Sequence, residues 1–251
     1  MTHVMIRDAF AAFTGFMGSA GICFHGPAQN SQNSWNNQHI ITPAGTLKPT
    51  WQVPAAMYAG SRAIARNQRI CIIDIKGLKG FGSRQMAQTL QPRLSRVAAA
   101  TIAFPGRETA GDLLCERLAW DLENPKVLEQ FAGLLKPHAD RADVLGLPAI
   151  LGVYRFEKLR RTLEQALKKP VFEIPTLSPS VTGMRMKEAF AGKMTDLGLH
   201  HFPVAVSEIV PGKNGFTFFV TQGMQTREIR ADYLVLATGR FMGKGLGVRD
   251  E

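Results

Sequence analysis

The chain has 251 residues, 45% of them hydrophobic, which is enough to bury a sizeable core in one large domain or two smaller ones. Its formal net charge of +10 favours anionic small molecules, yet no nucleic-acid motif accompanies the scattered cations, so no nucleic-acid partner is expected. No apolar run approaches the ~20 residues of a membrane-spanning helix, and three cysteines without a CxxC pair exclude a disulfide framework or structural zinc.

The first predicted element is a helix over residues 5–17, with Phe10, Phe13 and Phe16 recurring at i, i+3 and i+6. Asp8 sits where a secretory leader would be basic, and Gly15, Gly18 and Gly21 interrupt the apolar stretch, so the chain reads as cytoplasmic. A short strand at 22–25 precedes a polar loop at 27–38, and a second strand at 39–42 leads into the turn 43–46. Extended chain follows from Leu47. In ITPAGTLKPTW (41–51), Thr46 and Lys48 offer a hydroxyl and an ammonium to an anionic ligand; a plain tight turn explains them equally well. Residues 1–68 thus read as an irregular helix/strand segment, not a self-standing domain.

From residue 69 the pattern is regular. The β-branched run ICIIDI (70–75) has the composition of a strand buried on both faces of a parallel sheet. Further strands are predicted at 97–104, 143–151 and 171–176, and helices at 83–94, 110–122, 125–136, 156–168 and 182–197. This alternation predicts a doubly wound, mostly parallel, Rossmann-like α/β domain over 69–198. Asp74, at a strand end, stands where such sheets face their ligands. In IPTLSPSVTGMR (174–185), Ser180 or Thr182 is a natural N-cap, and free N–H groups with Arg185 in the first turn would also suit an anion.

Residues 199–251 are predicted as an antiparallel meander (strands at 202–210, 215–221 and 226–230) followed by a second nucleotide-contact strand, ADYLVLATG (231–239). A meander, then a polar residue, an apolar run and Ala-Thr-Gly, is the arrangement before the second nucleotide contact of flavoproteins. Small residues let the backbone approach a cofactor and Thr238 adds a hydroxyl, so Ala237, Thr238 and Gly239 are the candidate cofactor residues. The alternative is an ordinary buried strand ending in a glycine turn. No GxGxxG follows an early strand, and the spacings of Gly80–Gly82 and Gly243–Gly247 do not suit a pyrophosphate, so the chain is expected to hold only part of such a site. No catalytic pairing and no metal cluster is legible.

Four stretches in register carry a resemblance: ITPAGTLKPTW (41–51), RICIIDIKGLKGF (69–81), IPTLSPSVTGMRM (174–186) and ADYLVLATGRFMGKGL (231–246). Together they are similar to the B subunit of anaerobic glycerol-3-phosphate dehydrogenase. The resemblance implies an internal portion of a flavoprotein, with FMN or FAD bound in its complete form. It implies a catalytic A-type subunit and a membrane-anchoring iron–sulfur subunit as partners, oxidation of sn-glycerol 3-phosphate to dihydroxyacetone phosphate with electrons passed to quinone, and a cytoplasmic location peripheral to the inner membrane. The family's N-terminal dinucleotide motif and C-terminal flavin-covering segment have no counterpart here, so the chain alone is expected to be inactive. The alternative function is a non-catalytic nucleotide-binding or subunit-docking module.

Overall fold

The computed structural model describes residues 2–26, 36–109, 111–223 and 225–238. Two compact units divide the chain, Met1–Leu197 and Gly198–Glu251.

The first unit is built on a four-stranded, fully parallel sheet. Its strands are β5 (Ile70–Ile75), β6 (Val97–Ile102), β7 (Val144–Pro148) and β8 (Val171–Ile174), in the spatial order β6-β5-β7-β8. The chain leaves β5 for one edge and then returns past it to β7, so the topological switch point lies between β5 and β7. Both β7 and β8 are buried throughout, which parallel strands covered by helices on two faces require. The helices α3 (Ser83–Leu90), α4 (Cys115–Asp121), α5 (Pro125–Ala139), α6 (Phe156–Leu167) and α7 (Val181–Asp196) connect or follow these strands. The stripe Leu159, Leu163 and Leu167 seats α6 on the core, and the Asn124 side chain caps α5 by accepting from the Lys126 N–H at 3.0 Å. The expected α/β architecture with a parallel sheet is therefore present, within a compact unit that runs from Met1 to Leu197.

Ahead of this sheet stand α1 (His3–Ser19), β1 (Phe24–His25), β2 (Gln38–Ile41), β3 (Leu47–Thr50), β4 (Val53–Pro54) and α2 (Ala55–Ala65). The strands form two small antiparallel pairs, β1 with β4 and β2 with β3. Most of the polar loop expected at 27–38 lies outside the described residues. Helix α2 corrects the expectation of continued extended chain after Trp51. Its sequence, AAMYAGSRAIA, lacks a stripe of large apolar residues, because its buried face consists mainly of small ones: Ala56, Gly60, Ser61 and Ala63. Small residues let α2 approach the sheet closely. The Phe172 ring of β8 fits between Gly60 of α2 and Gly146 of β7, and a Cβ at Gly146 would lie 2.7 Å from that ring.

The second unit contains the meander of β9 (Val206–Gly212), β10 (Gly215–Gln222) and β11 (Gln225–Ala231), ordered β11-β10-β9. Phe218 pairs across to Ile209 on one side and Ile229 on the other, giving the sheet one apolar face of period two. The predicted strand at 231–239 is corrected: only Ala231 belongs to β11, and residues 232–238 lie outside any helix or strand. A strand requires a hydrogen-bonded neighbour, and none flanks this run among the described residues.

Packing and charge at the sheet each make a testable demand. Gly60→Ala places a methyl on the Phe172 ring and is expected to cost about 1–3 kcal/mol by urea denaturation, with part of the loss recovered in the Gly60→Ala/Phe172→Leu double variant. At the start of β5, Arg69 donates to Asp143 through its side chain (2.7 Å) and its backbone N–H (2.9 Å), which holds the Asp143 carboxyl at about 2, below its ordinary 3.8. The pair therefore stabilises the fold at pH values above 3.8, and that contribution fades as the pH falls towards 2. The denaturation midpoints of wild type and Asp143→Asn should differ at neutral pH and converge across that window.

Candidate functional site

Doubly wound sheets bind ligands beyond the carboxyl ends of their strands at the switch point. Here three carboxylates of the chain occupy the groups a ligand would use. Asp74, near the end of β5, accepts from the Ser83 N–H at the start of α3 at 3.4 Å. Burial pushes the Asp74 carboxyl above its usual range, and its Oδ1 is buried without a hydrogen-bond partner among the described residues. The loop between them, Gly77–Gly82, is packed inwards: Leu78 and Phe81 are buried, and a Cβ on Gly80 would meet the Leu177 side chain. The glycines after β5 therefore form a closed turn, not a phosphate cradle. Asp74 thus faces the start of α3 in its own unit.

The turn after β7 is held in the same way. Glu173, on β8, accepts from the Leu151 N–H at 2.8 Å. Glu123, just after α4, accepts from the N–H groups of Val153 and Tyr154, both at 3.0 Å. Glu173 in turn pairs bidentately with Arg185 of α7, at 2.5 and 2.9 Å, and the Arg185 Nε–H donates to the Gly152 carbonyl at 2.9 Å. The Glu173 side chain has no exposed surface and that of Arg185 only 9%. Phe156 lies beneath the guanidinium, 4.3 Å from its carbon to the ring centroid. Arg185, read from sequence as a candidate anion contact beside the free N–H groups of the first turn, is held here by Glu173. The side chain is neutralised within the fold, because a buried arginine without a carboxylate would be prohibitively costly to desolvate.

Ser180 is the N-cap of α7, accepting from the Gly183 N–H at 3.2 Å with the Thr182 hydroxyl 3.3 Å away. Thr182 and Arg185, with Met186, line one wall of a cavity of about 440 Å³ whose other walls include Ile22, Phe24, Met57 and Phe156. Its remaining charges are the carboxylates Glu157 and Glu188. The cavity is therefore largely apolar with acidic groups, suited to an uncharged or weakly polar moiety and not to a phosphate. The α1–β1 turn and α2 contribute to it unexpectedly, since neither shows a polar motif that would mark a site in sequence.

Thr46 and Lys48 do not line this cavity. The Thr46 and Thr42 hydroxyls bond each other at 2.8 Å, closing the turn at Gly45 (φ +71°), and Lys48 is exposed on β3. Ala237 and Thr238 are also exposed, and Gly239 lies outside the described residues. The run before them leaves Tyr233 89% and Val235 88% exposed. Among the described residues no backbone hydrogen bond involves 233–238. Among its described residues the second unit contains strands and no helix.

A family model described as FAD binding domain matches residues 2–247. The B subunit of anaerobic glycerol-3-phosphate dehydrogenase from Yersinia enterocolitica is 29% identical over 218 residues, covering 84% of this chain and 51% of the relative. The same-named protein of Actinobacillus pleuropneumoniae is 29% identical, with coverages of 84% and 51%. The Halobacterium salinarum protein, named as a probable B subunit of that enzyme, is 27% identical over 96% of this chain and 57% of its own length. The chain spans about half the length of the curated relatives it matches. No solved structure matches. No helix among the described residues is long and apolar enough to cross a membrane.

Arg185→Met leaves Glu173 buried and unpaired and is expected to cost roughly 3–5 kcal/mol in denaturant unfolding. The Arg185→Met/Glu173→Leu double variant should lose less than the single one; an equal or larger loss would show that the pair's charges do not compensate each other.

Proposed function

The chain belongs to the FAD binding domain family, and from that membership we propose that it forms part of a flavin-dependent dehydrogenase subunit, of the B type found in anaerobic glycerol-3-phosphate dehydrogenase. In this reading the complete protein helps oxidise sn-glycerol 3-phosphate to dihydroxyacetone phosphate. It acts with a catalytic A-type subunit, and electrons pass to quinone through an iron–sulfur subunit that anchors the assembly at the inner membrane. FAD supplies the redox chemistry when bound. Ala237, Thr238 and Gly239 bring backbone close to the nucleotide, and Thr182 orients whatever enters the apolar cavity beside α7. Residues 1–68 and 199–251 belong to the flavoprotein scaffold, with 69–198 as its inserted α/β domain.

The match to the FAD binding domain across residues 2–247 carries this reading. The exposure of Ala237 and Thr238, with no backbone hydrogen bond at 233–238 among the described residues, supports it. A second reading, a subunit-docking module, draws on the exposed side chains of Tyr233, Val235 and Leu236. Nucleotide binding by the parallel sheet itself is disfavoured, because Asp74, Glu123 and Glu173 already occupy the groups a nucleotide would contact.

The purified chain is expected to quench added FAD fluorescence saturably yet not to oxidise sn-glycerol 3-phosphate unaided. Ala237→Leu, on exposed chain where the fold is indifferent, should weaken FAD binding about tenfold. Flavin uptake untouched by that substitution would remove the assigned contact, and turnover by the chain alone would remove the need for partner subunits.

A further inference from the structure

At the opposite end of the parallel sheet from its carboxyl-end loops lies a groove of about 620 Å³. Its floor is made where the strands begin: Gln68 before β5, Val144 opening β7 and Pro170 before β8. Arg62 and Arg66 enter it from the C-terminal end of α2, and Arg160 and Arg161 from α6. Against these four guanidinium groups stands Glu157 within the groove, with Glu164 behind it.

The carboxylates are taken up unevenly. Arg160 binds Glu164 through Nη1 at 2.8 Å and Glu157 through Nη2 at 2.9 Å. Its Nε is buried and has no hydrogen-bond partner among the described residues. Arg161 reaches the same Glu157 oxygen only at 3.7 Å and is 72% exposed. Arg62 lies 5.9 Å from the ring centroid of Tyr58, which stacks on His25 at 4.0 Å, and neither Arg62 nor Arg66 has a carboxylate partner among the described residues. Two positive charges therefore remain unneutralised where two helices converge, together with one buried N–H that lacks an acceptor. Planar guanidinium groups recognise phosphate through paired donors.

We infer that this groove binds a phosphate group, held by Arg62, Arg66 and Arg161 beside the carboxylate-paired Arg160. The site adjoins the apolar cavity through Cys23, Ala55 and Glu157 but has the opposite electrostatic character. Its occupation requires no flavin, so the inference stands apart from the redox reading. A small phosphomonoester and a phosphatidic acid headgroup present the same phosphate oxygens, and the experiment separates these two sources.

The test is thermal unfolding of the whole chain, without flavin, as inorganic phosphate is titrated at constant ionic strength against potassium chloride. A saturable rise specific to phosphate is expected. Arg62→Gln/Arg66→Gln, both exposed, should weaken it at least about tenfold. Arg84→Gln/Arg93→Gln, which removes two exposed cations outside the groove, should leave it unchanged. In parallel, sedimentation with phosphatidylcholine vesicles, with and without phosphatidic acid, distinguishes a headgroup from a free phosphate. Binding only to the phosphatidic acid vesicles, lost in Arg62→Gln/Arg66→Gln, assigns the groove to a headgroup. No response to either probe, or equal weakening by both pairs of substitutions, overturns the site.

Discussion

The fully buried Glu173 carboxylate fixes the geometry around it. One oxygen receives the Leu151 N–H and an Arg185 nitrogen, and the other receives the second Arg185 nitrogen. Three segments are thereby locked together: strand β8, the turn after β7 and the first turns of α7. That turn would otherwise expose a row of unsatisfied N–H groups at the mouth of the sheet. Glu123 completes the arrangement from its other side. Because a buried charge is tolerable only with its partner in place, the interaction specifies one arrangement of these segments more than it stabilises them.

This internal satisfaction of charge bears on function. A doubly wound sheet normally leaves its switch point to a ligand. In this chain the positions are filled from within, by Asp74 at the start of α3 and by Glu173 and Glu123 at the turn after β7. The sheet then acts as a rigid support within the first unit. An apolar cavity forms beside α7, and an arginine-lined groove lies at the amino ends of the strands. The net positive charge of the chain is thus not spread evenly in its consequences: Arg69, Arg160 and Arg185 are paired within the fold, while Arg62 and Arg66 have no carboxylate partner among the described residues.

The parallel sheet was readable from residue order alone. The run Ile70–Ile75, the stripe on α6 and the capping Ser180 are local patterns whose period and chemistry survive in any environment. Several motifs in register likewise held the likeness to a flavoprotein. Helix α2 was not legible, because small residues carry no amphipathic stripe; what its small face provides is the close approach to Phe172. Nor was the state of Arg185. A cation in the first turn of a helix suits an anionic ligand equally well whether or not Glu173 lies within reach, and it is folding that brings that carboxylate to it from twelve residues away. The same holds for residues 232–238, whose strand-like composition sets a propensity but whose pairing depends on a neighbouring strand. Local periodicity is encoded in the chain, whereas the partner of a charge or of a strand depends on what the completed fold places beside it.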